Sequence, residues 1–260
     1  MASLSAPHET APRQQVRQER SRFFVWMGGL ALLTALAGFL PTYWLPLVTG
    51  HSFPPILHIH GAILISWYAL FFWQSLLVVG GRTADHRQWG LLGIAVATAL
   101  VISVLLAVLN SFAAAARIGM EPQARMFASV SLLGIVQFAI FFTLAIRNVR
   151  RPDYHRRYIY AASVPMLQAA VARWFQMAHA AHGPGGPPPV FVAIPPGIVV
   201  WLLFFGPLVL HDRKVLGRLH PATIAGMASA MFVILAPLVI GPSAGWAAFM
   251  AAFAGLAPHG

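Results

Sequence analysis

The stretch Pro55-Ile56-Leu57-His58-Ile59-His60-Gly61 sets two imidazoles at the mouth of an apolar run that continues without charge to Gly80. Imidazole ligates metals, carries protons and hydrogen-bonds polar ligands. An ionisable group at membrane depth is costly enough to mark a place where something is bound or moved. Trp67 and Gln74 follow His60 at intervals of seven, so at about 100° per residue they drift only about 20° per step and form one helical stripe. His58 stands about 200° from His60 on a regular helix. Only one of the two can then face a common interior, and the stripe selects His60, although Pro54-Pro55 permits an irregular first turn.

A second cluster lies over Gln168, Arg173, Gln176, His179 and His182. Counted from Gln168, His179 lies about 20° away and His182 about −40°, so the three share a face, and the two histidines form an i, i+3 pair able to approach one metal. His60 sits about 6 Å inside the start of its own helix, and His179 is comparably close to the end of its helix. Three chemistries suit such a pairing of helices. His60 and His179, with His58 and His182 as further ligands or their supports, could hold haem b axially. They could instead bind zinc or copper, with Met177 as a soft ligand for cuprous ion. With Arg173, Gln168, Gln176, Gln74 and Trp67 they could line a cavity for a quinone or an anionic solute. The plain alternative is wet helix ends that bind nothing, with Arg173 snorkelling to the interface.

A third pattern repeats weakly. His86-Arg87, His155-Arg156 and Arg218-Leu219-His220 each set histidine beside arginine at the start of an apolar run. Such a basic collar could hold lipid phosphates, haem propionates or an anionic headgroup, or simply anchor helices.

The elements that position these groups follow from composition. The 260 residues are 58% hydrophobic and 9% charged, with a mean hydropathy of +0.72. That places the chain in the polytopic membrane class, where lipid cannot satisfy backbone polar groups and long apolar runs must be helices. The net charge of +11 resides mostly in short loops; this reads as topology and leaves nucleic acid out as a partner. With no cysteine, thiolate ligands, iron–sulfur clusters and disulfides are excluded. The six acidic residues, Glu9, Glu19, Asp85, Glu121, Asp153 and Asp212, read as loop or tail positions. No span is therefore expected to hold the buried carboxylate on which ion-coupled transporters rely.

The expected fold is an all-α polytopic bundle of seven transmembrane helices near 23–45, 56–80, 90–115, 126–146, 158–181, 196–210 and 222–241. The sixth is short, contains Pro207 and could extend back towards Ile194. Fourteen of the 17 basic residues fall in loops that lie on one side, and the positive-inside rule makes that side cytoplasmic. The N-terminus is then inside and the C-terminus outside, which puts the His60 cluster at the outer face and the collar at the inner one. Residues 1–22 read as a disordered basic tail, the transmembrane domain as 23–241, and 242–260 as an outer interfacial helix or packed helical end carrying Trp246, Phe249, Met250, Phe253 and Leu256. The first apolar run resembles a signal peptide around Ala35-Leu36-Ala37, but it continues past Leu40 and reads as an uncleaved anchor.

The words His58-Ile59-His60-Gly61, Gly81-Arg82 with His86-Arg87, His155-Arg156-Arg157 and Gly217-Arg218-Leu219-His220-Pro221-Ala222-Thr223 resemble those of an uncharacterised family of bacterial multi-span membrane proteins. The resemblance implies bacterial inner-membrane residence and brings no activity. The only lysine is Lys214 in a loop, so a retinal Schiff base is excluded. The expectation is a histidine-based haem or metal site at the outer face, serving electron transfer or metal or haem handling among membrane lipids, with a redox partner or a larger complex. The rivals are a permease, a lipid- or quinone-binding accessory protein, and a structural subunit of a membrane complex.

Overall fold

The computed structural model describes residues 11–179 and 192–256, with side chains for residues 22–178 and 192–256. Every described element is helical. Six helical stretches are long and apolar enough to cross a bilayer: Arg22–Val48, Pro55–Val79, Thr83–Arg117, Glu121–Arg147, Ile194–Leu216 and Pro221–Val239. Large apolar side chains such as Trp26, Leu33, Leu91, Leu210 and Val239 stand on the outer surface. Water would not tolerate so many, whereas lipid does, and the protein is a multi-pass membrane protein.

Helix α1 (Ala11–Gly38) takes in the second half of the expected tail; residues 1–10 lie outside the described residues. It passes through a π-helical turn at Leu40–Trp44 into the short α2 (Leu45–Val48). Helices α3 (Pro55–Val79), α4 (Thr83–Arg117) and α5 (Glu121–Arg147) match the second to fourth expected spans. At about 1.5 Å per residue the 35-residue α4 is longer than a hydrocarbon core of about 30 Å and projects beyond it. α3 packs between α1 and α4, and α5 is flanked by α4, α6 (Pro152–Ser163) and α10 (Pro221–Val239).

The fifth expected span, 158–181, is divided into α6 and α7 (Leu167–His179). Pro165 has no N–H to continue the ladder, and the turn after it is tighter, with Leu167 N–H bonded to the Val164 carbonyl and Gln168 N–H to that of Pro165. The carbonyls released in a buried break need partners. Tyr68 of α3 donates its hydroxyl to the Ser163 carbonyl at 2.9 Å, and Trp67 donates its indole N–H to Ser163 Oγ at 3.1 Å.

The sixth expected span is longer at both ends than 196–210. It runs as α8 (Ile194–Val200), a π-helical turn (Trp201–Phe205) and α9 (Gly206–Leu216). Pro207 removes a ladder donor, and the wider turn before it absorbs the loss. Tyr160 donates to the Phe204 carbonyl there at 2.8 Å. Small residues allow close helix approach: a Cβ on Gly38 would stand 2.5 Å from Ala170, and one on Gly226 2.7 Å from Ala161.

In the C-terminal segment α11 (Ala244–Ala254) packs against the bundle. Met250 is fully buried with Val108, Phe112, Ala128 and Leu132 of α4 and α5, and Trp246 donates to the Arg125 carbonyl at 2.7 Å.

Candidate functional site

Two polar regions lie towards opposite ends of the bundle. The first is built on the start of α3. His60 Nδ1 lies 3.1 Å from Ser103 Oγ on α4. That hydroxyl donates its own proton to the Leu100 carbonyl at 3.0 Å, and with that bond made the imidazole donates to the oxygen. This arrangement selects the Nδ1–H tautomer of His60, with the lone pair on Nε2. This is the arrangement of a histidine oriented for ligation. Arg173 lies within electrostatic reach of His60, with its guanidinium 5.4 Å from the centre of the Phe39 ring.

His58 turns elsewhere, with its Nδ1 2.6 Å from the Tyr43 hydroxyl and its ring edge-on to Phe53. The helical angle separates the two histidines, as expected. Trp67 packs edge-on against Phe138 and Phe142 of α5. Gln168 is engaged by the backbone, donating to the Ala193 carbonyl at 2.9 Å, and Gln176 is half-buried. The side chain of His179 and the whole of His182 lie outside the described residues. Among the described residues no three His, Asp or Glu side chains are grouped closely enough to hold a metal ion.

The second region corrects the sequence reading. Asp212, expected in a loop, is on α9 and fully buried, and Arg157 of α6 is equally buried against it. Asp212 Oδ1 accepts from Arg157 Nε at 3.0 Å and from Nη2 of the same guanidinium. Its Oδ2 accepts from Thr223 Oγ1 at 2.6 Å and from the His220 backbone N–H at 3.0 Å. Arg157 Nη1 donates to the Asp153 carbonyl at 3.0 Å. Each charge is paired and hydrogen-bonded, the condition under which a buried ion pair is tolerated, and the set ties α6, α9 and α10 together.

The expected collar divides around this lock. His220 caps α10, its Nδ1 accepting from Ala222 N–H at 3.1 Å, and Tyr154 stands edge-on at 4.4 Å. Burial first, and then the Arg157 charge, hold the His220 imidazole below its ordinary range. Arg156 pairs with Asp153 and covers the Phe24 ring. His86 and His155 meet edge to face, with ring centroids 6.3 Å apart. Arg87 and Arg218 are exposed.

Between the two regions, a cavity of about 10 Å³ adjoins the break after α6, lined by Pro165, Gln168, Gly197 and Ala230 among others. That is room for one water. Sequence reasoning missed Ser103, Tyr68, Ser163, Arg157 and Asp212. For Asp212 a signal existed: it follows the buried Phe205 and Leu208 at i+7 and i+4 on one helical face. Ser103 carried none, because a serine in an apolar helix commonly bonds to its own backbone. No family model, curated protein or solved structure matches the chain.

Proposed function

We propose that the protein is a seven-crossing bacterial inner-membrane protein, N-terminus inside and C-terminus outside, whose outer end binds haem or a transition metal through His60 for electron transfer or for metal or haem handling. α6 and α7 together make the fifth crossing, a discontinuous helix of the kind tolerated where the bundle covers the break. The observation that carries the reading is the Nδ1–H tautomer of His60, half-buried beside a cationic Arg173, with Nε2 left for a ligand. His179 is the expected second ligand, His58 and His182 are auxiliary, and Arg173 is the partner for a propionate or other anion.

Absorbance spectra of the purified protein, oxidised and dithionite-reduced, combined with elemental analysis, test this directly. A Soret band or stoichiometric iron, copper or zinc that is lost in His60→Ala supports it. Protein made with ample iron and copper that carries neither band nor metal overturns it. Because the chain has no cysteine, single substitutions Ser52→Cys and Thr83→Cys test the topology. An impermeant maleimide should label the first in intact cells and the second only after permeabilisation.

A second reading rests on the helix break. There the cavity and the Gln168 side chain that lines it would open to admit a quinone or small solute. A metal-free, spectrally silent protein that retains quinone through purification would favour it.

A further inference from the structure

The meeting of His86 and His155 has a chemical consequence separate from the His60 region. His155 Nδ1 lies 2.9 Å from the Ala145 carbonyl. A carbonyl only accepts, so Nδ1 carries the proton, and the lone pair of the neutral ring is on Nε2. His86 lies within hydrogen-bond reach of the Gln74 backbone carbonyl on α3, while its Nδ1 is buried and has no partner among the described residues. In its Nε2–H tautomer the lone pair of His86 is on this unpartnered Nδ1. Gln74 Oε1 is likewise buried and unpartnered. The Gln74 amide packs over the His86 face of α4, its nitrogen 3.9 Å from where a Cβ on Gly90, one turn along, would stand.

His86 Nδ1 and Gln74 Oε1 are thus buried acceptors without a partner among the described residues, and the His155 ring stands beside His86 with its own lone pair on Nε2. Buried acceptors left this way are costly, and an electron-pair acceptor removes the cost. Imidazole nitrogens with one oxygen form a donor set for a borderline transition metal, whose remaining position water fills. The spacing agrees: imidazoles bound at about 2.0–2.1 Å to one ion stand with centroids roughly 5–6.5 Å apart, against the 6.3 Å observed. Surrounding charge does not oppose a cation strongly. Arg82 is paired with Asp85, Arg156 with Asp153 and Arg157 with Asp212, and Arg87, whose charge reaches His86, is exposed, where solvent screens it.

We infer that His86, His155 and the Gln74 amide oxygen form a binding site for a single transition-metal ion, with zinc as the probe, where α3, α4 and α6 meet. The site needs no third histidine or carboxylate, so it is distinct in ligand chemistry from the His60 region and stands or falls without it.

The test uses the full chain in lipid nanodiscs, stripped with chelator and titrated with Zn²⁺, with Co²⁺ absorption as the spectroscopic readout. One ion per chain is expected, with ligand-field bands characteristic of nitrogen and oxygen donors. His86→Ala and His155→Ala should each weaken binding by at least about tenfold. Gln74→Glu, which places a charged oxygen on the ion, should tighten it. His60→Ala should leave this titration unchanged, so failure here is separable from failure of the outer site. His86→Gln, which keeps a donor for the Gln74 carbonyl, substitutes if His86→Ala does not fold. No stoichiometric Zn²⁺ on the wild-type chain, or binding indifferent to both histidine substitutions, overturns the inference.

Discussion

The Asp212 and His60 regions both bury ionisable groups in an apolar bundle, and they satisfy them to different degrees. Asp212 accepts four hydrogen bonds from Arg157, Thr223 and the His220 backbone. Its acceptor capacity is filled by the protein itself, as structural permanence requires. His60 has its Nδ1 committed to Ser103 and is only half-buried. On the reading proposed above, a histidine held in direction through one ring nitrogen is a ligand carried by its support. The first region behaves as a lock and the second as a socket, so substitutions should separate stability from ligand binding.

The largest effect is expected at the lock. Arg157→Met strands the Asp212 carboxylate in the bundle, and breaking a buried pair on one side costs about 3–5 kcal/mol. Thermal unfolding in detergent should show the corresponding fall in Tm, and yield should drop. Adding Asp212→Leu should restore much of the loss, because two apolar side chains of similar volume replace the pair without stranding a charge. A double variant no more stable than Arg157→Met would mean that the hydrogen bonds from Thr223 and His220, rather than charge pairing, hold α9 to α10.

The contrast explains what the sequence made legible. Spans were readable because lipid imposes an all-or-none demand on backbone polar groups, and α3, α4 and α5 fall close to their apolar runs. The stripe of His60, Trp67 and Gln74 was readable because helical angle fixes a face. Arg157 and Asp212 were not, because in an apolar sequence a charge ordinarily marks the end of a span, whereas both helices continue through one to finish their buried faces. The division of the fifth span was also hidden. Pro165 was visible, but whether a proline bends or breaks a helix depends on partners elsewhere in the chain, here the hydroxyl of Tyr68 and the indole of Trp67.

That dependence gives the next effect. Tyr68→Phe keeps the ring in its fully buried place and removes only the donor to the Ser163 carbonyl, a loss of about 1–3 kcal/mol for an acceptor left unsatisfied. A Tm unchanged from wild type would indicate that water entering the adjacent cavity takes over the bond.

Smaller still is a pH dependence at the lock. The folded-state pKa of His220 lies below its ordinary value of 6.5, so between the two values the unfolded chain binds more protons. Its contribution is therefore complete above about pH 6.5 and is lost as pH falls through the lowered folded value. Asn can still cap a helix but does not titrate, so His220→Asn should flatten the low-pH fall in Tm relative to wild type. Parallel curves for the two proteins would assign the fall to other groups.

The smallest stability effect is expected at the socket. His60→Ala removes one hydrogen bond to Ser103, whose hydroxyl keeps its bond to the Leu100 carbonyl, so no buried donor is stranded. The net loss should be about 0.5–1.5 kcal/mol, typical of a single intramolecular hydrogen bond. Any haem or metal at that end should nevertheless disappear. Ser103→Ala sharpens the point: it leaves His60 present but frees its ring to rotate and change tautomer, so ligand affinity should fall by about 10–100-fold, as for other lost supports of a ligating histidine. A His60→Ala variant that loses as much stability as Arg157→Met would erase the distinction between the two regions, because His60 would then be part of the lock.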